Sequence, residues 1–247
     1  MTTTIIAPDF TAPDQISRKL QAHGYGVLSP SGVCELAHCE PAALEIIRPS
    51  WDDLPIDNFL RDGGRYRRRR HASFIVNGAT ITQTPHRPHW QPLEYNALHG
   101  GMQRLFEPIA PATIHQPVWA PLLQAIGDVC SSLKGAQPWY VEAHQFRIDT
   151  SNGIGRPTPE GAHRDGVDFV AILLVARERV KGGESRIFEA DSSNGQRFTL
   201  MAPWTLLLLD DERVIHESTP IQPTAEGGHR DTLVLTYRSG GFQEQAY

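Results

Sequence analysis

Cysteine is scarce in this 247-residue chain, and its spacing fits neither a disulfide framework nor a thiolate metal site. The three cysteines, Cys34, Cys39 and Cys130, are an odd set without a Cys-x-x-Cys pair. Secreted domains held together by disulfides and zinc ribbons both need such pairs. The scarcity indicates a reducing compartment, so we predict a cytoplasmic location.

Long apolar runs and concentrated positive charge are also missing. No segment approaches the roughly 20 apolar residues that cross a bilayer, and the N-terminal residues lack the pattern of a signal peptide. The formal net charge is -5 and the pI is near 6.1, whereas phosphate contacts demand clustered Lys and Arg. We therefore expect no membrane and no nucleic-acid partner, and a small molecule is the expected ligand.

The first half of the chain is predicted to be mixed, with helices prominent. Apolar residues at helical spacing predict helices over residues 13–23, 40–47 and 117–133, and a short strand over 25–28 follows the first helix. Residues 83–90 are rich in Pro and His and are predicted to form a loop, since proline disrupts both helices and central strands.

The second half has a pattern of short segments and turns that is typical of an antiparallel β structure. Short β-rich segments at residues 140–148, 167–175, 185–190, 204–209 and 233–237 are separated by turn-forming residues. This spacing favours a sandwich or barrel over β-α-β units. We predict a mainly β (α+β) fold in a single domain, residues 1–247, with N-terminal helical support over about 1–137 and a metal-bearing β core over about 138–240.

The strongest chemical signal is His163-Arg164-Asp165, followed about 50 residues later by His216. Residues two apart in an extended segment point to the same side, so His163 and Asp165 can reach one metal. Two histidines and one carboxylate occupy one face of an octahedral Fe(II) and leave positions open for substrates. The sequence therefore predicts a catalytic iron site at His163, Asp165 and His216.

Two competing motifs fit less well. His229-Arg230-Asp231 lies too near the C-terminus to be followed by a distal histidine, and the set His38-Cys39-Glu40 with His89 falls in a predicted helix start and a loop. The chosen set instead lies beside two predicted apolar strands. The alternative interpretation is a pair of exposed loop histidines beside an unrelated aspartate.

A positively charged residue follows the metal motif at the sequence spacing expected of a co-substrate ligand. Arg230 lies 14 positions after His216, and Thr232 comes two residues later at the start of a predicted strand. An iron-bound 2-oxoglutarate has a distal carboxylate that needs a bidentate cation. Arg230 and Thr232 can supply that cation and a hydroxyl, although an exposed arginine at a strand end is the simpler alternative.

Together these motifs resemble the 2-oxoglutarate/Fe(II)-dependent dioxygenase superfamily. More narrowly, the chain is similar from about residue 55 to a bacterial family of free L-amino-acid hydroxylases of the isoleucine dioxygenase type and BsmA-like proteins. The stretches that carry this resemblance are Arg65-Tyr66-Arg67-Arg68-Arg69-Arg70, Tyr95-Asn96 to Gly100-Gly101, His144-Gln145-Phe146-Arg147, His163-Arg164-Asp165-Gly166 and Gly182-Gly183-Glu184-Ser185.

The resemblance implies a fold, a set of cofactors and an activity. The fold would be a double-stranded β-helix (jelly roll), and the cofactors Fe(II), 2-oxoglutarate as co-substrate and O₂. The activity would be hydroxylation of a free aliphatic L-amino acid. Sulfoxidation, desaturation or demethylation stay open as other outcomes, and so does a non-catalytic metal-binding protein related to stress or biofilms. A homodimer is also left open.

Residues 140–147 offer candidate substrate contacts. Their alternation separates two faces, both with polar groups, so we expect one face to line the cavity. Gln145 and Arg147 are our candidates on one face; on the other, Glu142 is a possible acceptor and His144 a hydrogen-bonded structural histidine. The arginines of residues 65–70 are predicted to alternate between solvent and ion pairs; the alternative, which stays open, is that one of them, like Arg147, binds a substrate carboxylate. His86 and His89 are predicted to lie in a solvated loop, with a lid as the alternative.

Overall fold

The computed structural model of the protein describes residues 5–192 and 194–244. In this part of the chain the strands are β1 (Tyr25–Leu28), β2 (Arg67–Asn77), β3 (Thr80–Gln83), β4 (Trp139–Asp149), β5 (Phe169–Glu178), β6 (Val180–Gly182), β7 (Ser185–Glu189), β8 (Gly195–Phe198), β9 (Leu206–Asp210), β10 (Val214–Ser218), β11 (Ile221–Pro223) and β12 (His229–Arg238). The main sheet has the order β1-β9-β5-β12-β4-β2-β3, and smaller sheets are formed by β10-β7-β8 and by β11-β6. All their pairings are antiparallel.

Helices cover one face of the main sheet. They are α1 (Ile16–His23), α2 (Pro30–Leu36), α3 (Pro41–Ile47), α4 (Pro111–Ile114) and α5 (Trp119–Lys134), with 3₁₀ turns at Pro13–Gln15 and Arg48–Trp51. Close packing of α5 depends on Gly127, because an added Cβ would lie 3.0 Å from a methyl group of Val76. The buried hydroxyl of Tyr237 donates to the carbonyl of Leu123 at 2.9 Å, which ties α5 to β12.

The alternation of side chains along β12 shows how the layers are divided. Leu233, Leu235 and Tyr237 are buried in the main core, between the sheet and the helices. Arg230 and Thr232 point the other way, towards a cavity. Because successive side chains in a strand point to opposite faces, one strand serves both the apolar core and the polar cavity.

The smaller sheet β10-β7-β8 closes the cavity from the opposite side. A second apolar cluster joins the two sheets and includes Val170, Leu174, Ile187, Phe198 and Leu207. The segment before β5 is attached to the smaller sheet by an isolated antiparallel bridge between His163 and His216. Two facing antiparallel sheets form the jelly-roll architecture that the resemblance implied.

Most predicted elements are confirmed, including the helices near residues 13–23, 40–47 and 117–133 and the strand over 25–28. The boundary near residue 137 needs a correction, because β1, β2 and β3 precede it and still belong to the main sheet. The N-terminal half is thus not only a helical support. The single domain stays a prediction. Among the described residues, no helix is long and apolar enough to cross a membrane.

Candidate metal centre

Two backbone hydrogen bonds place the predicted histidines side by side. The N–H of His163 donates to the carbonyl of His216 at 3.0 Å, and the N–H of His216 donates back at 2.9 Å. The two rings lie 4.6 Å apart between centroids. His216 is in the middle of β10, opposite Ile187 of β7. The smaller sheet therefore presents both imidazoles at one point of the cavity wall.

Asp165 completes this group. Its Oδ1 lies 3.8 Å from Nε2 of His163 and its Oδ2 3.7 Å from Nε2 of His216. The three candidate ligand atoms all lie within 4.8 Å of one another. Nδ1 of His163 donates to the carbonyl of Gly161 at 3.0 Å, which leaves the lone pair on Nε2 facing the other two side chains. Two neutral imidazoles and a carboxylate are a donor set that suits Fe(II).

A carboxylate that the sequence analysis missed holds the Asp165 loop. Asp211 is fully buried and accepts hydrogen bonds from the backbone N–H groups of Asp165 (3.0 Å), Gly166 (2.8 Å) and Val167 (3.1 Å). Burial, reinforced by the charge of Asp165, raises the pKa of Asp211 to about 7. The only signal for it in the sequence is its place directly after an apolar strand. Gly166 has φ of +73° and contacts Tyr95 closely, so a side chain there would be strained.

Arg230 and Thr232 lie on the cavity side of β12, as their spacing required. Arg230 is only 4% exposed, and within residues 5–192 and 194–244 it has no hydrogen-bond or ion-pair partner for its Nε. Burial, together with the nearby charge of Arg177, lowers the pKa of Arg230 to about 10, so it remains a cation at neutral pH. A buried guanidinium without a partner is a site prepared for an anion.

Gln145 and Arg147 do not line the cavity, and their prediction as substrate contacts was wrong. Gln145 donates to Ser50 at 2.7 Å. Arg147 forms ion pairs with Asp231 at 2.7 Å and Asp52 at 2.8 Å. The alternation of β4 was read correctly, but the polar side chains of this face point to the side that the helices cover, where Gln145 contacts Ser50 and Arg147 pairs with Asp52 and with Asp231 of β12.

Glu142 lies on the face that does line the cavity, although it is already engaged. Its two oxygens accept hydrogen bonds from Nε2 of His71 at 3.1 Å and Nδ1 of His89 at 3.0 Å. The prediction of a solvated His89 was wrong: its backbone pairs with that of Arg104, which draws the loop onto the sheet and buries the ring. His86, in the same loop, is exposed.

His71, His89, Glu142 and His144 form a second group that by composition could hold a metal. Their hydrogen bonds oppose this. Nη2 of Arg69 donates to Nδ1 of His144 at 2.9 Å, which puts the proton of that neutral ring on Nε2. Burial lowers the pKa of His89 to about 4, so that ring is neutral, and its one N–H donates to Glu142. The group is a hydrogen-bonded cluster beside a cation, with His144 a hydrogen-bonded histidine as predicted.

The arginines of β2 separate by face. Arg68 and Arg70 make ion pairs on the outer side, whereas Arg67 and Arg69 are 5% and 4% exposed and line the cavity. Arg67 is buried and forms an ion pair of the predicted kind, with Asp57 at 2.7 Å. The prediction that these arginines alternate between solvent and ion pairs was wrong for Arg69, which is buried and donates to His144 instead. Their alternation along the strand was the available signal, since it aims every second guanidinium at the cavity.

The family model for 2OG-Fe dioxygenases matches residues 48–236 of the chain. The chain belongs to the 2OG-Fe dioxygenase family. Enzymes of this family use Fe(II), 2-oxoglutarate and O₂, so this protein is a dioxygenase with those cofactors. The His, Asp, His group is the kind of donor set that such an enzyme requires.

Solved structures agree with this membership. The dioxygenase is similar to a BsmA homologue from Methylobium petroleophilum PM1, with 49% identity, coverage of 99% of this chain and 100% of that chain, and a TM-score of 0.92. IDO from Bacillus thuringiensis has 17% identity, coverage of 94% and 100%, and a TM-score of 0.74. The Fe(II)/α-ketoglutarate-dependent dioxygenase TqaL has 17% identity, coverage of 94% and 90%, and a TM-score of 0.71. The last two show the fold alone. No curated protein is significantly similar to the chain.

The contacts of Asp211 generate a prediction about metal affinity. In an Asp211→Asn variant, an amide N–H would face backbone N–H groups that now donate to a carboxylate, so the Asp165 loop should loosen. We expect Fe(II) to bind roughly 10–100-fold more weakly, measured by anaerobic titration. Glu212→Gln, a change at the exposed neighbouring carboxylate, is the control and should leave affinity unchanged. Equal affinities for both variants would contradict the role of Asp211.

Proposed function

We propose that the enzyme hydroxylates a free aliphatic L-amino acid at an Fe(II) centre formed by His163, Asp165 and His216. One observation carries this proposal: the three side chains converge on a cavity that also contains Arg230, a buried cation without a partner among the described residues. A metal site and an anion site that line the same cavity match the needs of a metal-chelating co-substrate that has a second carboxylate.

Each of these residues has a distinct role in the proposal. His163 and His216 provide neutral imidazole nitrogens, and Asp165 provides the negative ligand. Arg230 binds the distal carboxylate of 2-oxoglutarate, with the hydroxyl of Thr232 on the same face of β12. Bound iron supplies O₂ activation coupled to oxidation of 2-oxoglutarate. The chain positions the reactants and excludes water.

The cavity wall suits an aliphatic side chain near the metal. Ile172 and Leu207 of the main sheet and Val234 of β12 line it together with the iron group. Apolar walls also keep bulk water from the reacting carbon. Charged groups of β2 and β4 line the same cavity, where they can bind the polar end of an amino acid. We propose hydroxylation as the outcome because the cavity offers apolar walls for an aliphatic side chain and charged groups for the polar end of an amino acid.

A cytoplasmic location belongs to the same proposal. Cys34, Cys39 and Cys130 are free thiols in the structure. Free thiols are typical of a reducing compartment, and Fe(II) is also retained under reducing conditions.

The metal assignment predicts the result of removing one ligand. We expect His216→Ala to lose stoichiometric Fe(II) while the protein stays folded, because an open catalytic site contributes little to folding. The measurements are iron content after anaerobic loading and the circular dichroism spectrum. His89→Gln is the matched control, since it disrupts the second histidine group instead. Loss of iron in the control and retention in His216→Ala would overturn the assignment.

The role of Arg230 predicts a selective loss of co-substrate binding. In Arg230→Ala the distal carboxylate would be buried without its partner, which costs about 3–5 kcal/mol, or at least roughly 100-fold in Kd. Anaerobic calorimetry with 2-oxoglutarate should show this loss at unchanged iron content. Arg238→Ala, at the other end of β12, should bind 2-oxoglutarate normally. An unchanged Kd in Arg230→Ala would rule out the role.

The substrate class is tested by coupled turnover. With Fe(II), 2-oxoglutarate and air, we expect leucine, isoleucine or methionine to stimulate succinate formation and to gain one oxygen atom, detected by mass spectrometry. Their N-acetyl and methyl ester forms are the controls and should be poor substrates, since each lacks one charge. Preference for the blocked forms, or no stimulation by any free amino acid, would exclude this substrate class and leave the family membership intact.

A further inference from the structure

Three buried arginines lie together on the cavity wall formed by β2 and the loop before α4. Arg67, Arg69 and Arg104 are 5%, 4% and 2% exposed. Each has a buried nitrogen that lacks a hydrogen-bond partner in the described part of the chain: Nη2 of Arg67, Nε of Arg69 and Nε of Arg104. Unsatisfied buried donors are uncommon and require a reason. Three in one cavity indicate a missing acceptor.

The guanidinium groups are held firmly where they are. The guanidinium carbon of Arg69 lies 3.9 Å from the ring centroid of Phe106 and 4.5 Å from that of Phe146. Nε of Arg67 donates to Asp57 at 2.7 Å, and Nη2 of Arg104 donates to Oε1 of Gln91 at 2.8 Å. Burial and the charges of its two arginine neighbours lower the pKa of Arg69. A bound anion would relieve this repulsion.

This arginine group lies close to the iron site. Gln91 accepts from Arg104 and donates through Nε2 to Oδ1 of Asp165 at 3.1 Å. One side-chain amide therefore separates the Arg104 guanidinium from a proposed iron ligand. A carboxylate bound by the arginines would leave the rest of a small molecule within reach of the metal, so a carbon a few bonds from that carboxylate would be oxidised.

A complementary acceptor faces the same space. Glu160 lines the cavity, and its Oε2 is buried without a hydrogen-bond partner among residues 5–192 and 194–244. Its Oε1 lies 3.7 Å from Nε2 of His163. Glu142 cannot play this part as freely, because two histidines already donate to its oxygens. Glu160 was missed by the sequence analysis, since nothing in its loop distinguishes it from an exposed acid.

We propose that Arg67, Arg69 and Arg104 bind the carboxylate of the substrate and that Glu160 accepts its ammonium group. This inference rests on the proposed function and names the groups that would recognise an amino acid. It assigns substrate recognition to a place separate from Arg230, which is reserved for the co-substrate.

The charges around the cavity favour a zwitterion. The three arginines are accompanied by three carboxylates in their surroundings, Asp57, Glu142 and Glu160. A molecule with one carboxylate and one ammonium adds no net charge to this buried region. A simple amine or a dicarboxylate would leave a buried charge without compensation, which is costly in a cavity of low dielectric constant.

The test crosses two variants with three probes. Arg69→Gln and Glu160→Gln are compared with wild type and with Arg68→Gln, the matched control on the outer face of β2. The probes are leucine, leucinamide, which lacks the carboxylate, and 4-methylpentanoate, which lacks the ammonium group. Binding is measured by calorimetry without O₂, in the presence of Fe(II) and 2-oxoglutarate, and iron content, 2-oxoglutarate affinity and thermal stability are recorded for every variant.

The expected pattern is selective. Arg69→Gln should bind leucine roughly 10- to 100-fold more weakly and leucinamide as wild type does. Glu160→Gln should weaken leucine by a similar factor and leave 4-methylpentanoate unchanged. Iron content and 2-oxoglutarate affinity should match wild type in both variants. Arg69→Lys should recover only part of the loss, because lysine keeps the charge but lacks the planar pair of donors.

Other results separate the possible failures. If wild type and both variants bind leucine equally, the inference is overturned while the proposed function stands. If Glu160→Gln loses iron, Glu160 is a metal ligand and its assigned role is wrong. If Arg69→Gln loses affinity for 2-oxoglutarate, the arginines belong to the co-substrate site instead. If wild type binds no free amino acid, whether leucine, isoleucine or methionine, the proposed substrate class fails and this inference fails with it.

Discussion

The cavity depends on one geometric constraint, which is that alternate side chains of β2, β4 and β12 point to opposite faces of the main sheet. Helices cover one face and demand apolar residues such as Ala143 and Leu235. The other face can therefore direct Arg69, Glu142 and Arg230 towards the cavity. Buried charges are expensive, so the fold tolerates them where neighbouring groups or a ligand can compensate. The strong apolar core on the helical side offsets that cost.

The parts of the site that could be predicted from the sequence are those with a fixed local spacing. His163 and Asp165 share a side because they are two apart in an extended segment, and Arg230 and Thr232 do so for the same reason. The structure brings the two histidines and the aspartate together, and both residues of the second pair face the cavity. Secondary structure followed from periodicity equally well in the helices and in the apolar strands.

The parts that could not be predicted depend on which layer a polar strand faces. Gln145 and His144 are neighbours, and the sequence does not tell which of them points inward. Gln145 points to the helical side and donates to Ser50, a residue that lies far away in the chain. The same reason hid the burial of Arg67 and His89, whose partners Asp57 and Glu142 are also set by tertiary contacts. A charged residue on such a strand looks like a solvated one until its layer is known.

Gln91 shows how the two ends of the cavity are joined. Its Oε1 accepts from Arg104 at 2.8 Å and from Asn96 at 3.3 Å, and both of these partners can only donate through the atoms involved. The amide orientation is thereby fixed, and Nε2 must point to Asp165. Arg104, which the proposed anion would contact, is therefore two hydrogen bonds away from the carboxylate of Asp165, and the backbone N–H of Asp165 donates to Asp211. Asp165 is in this way held through its backbone by Asp211, which directly follows β9, and through its side chain by Gln91, which connects it to the groups proposed to recognise the substrate.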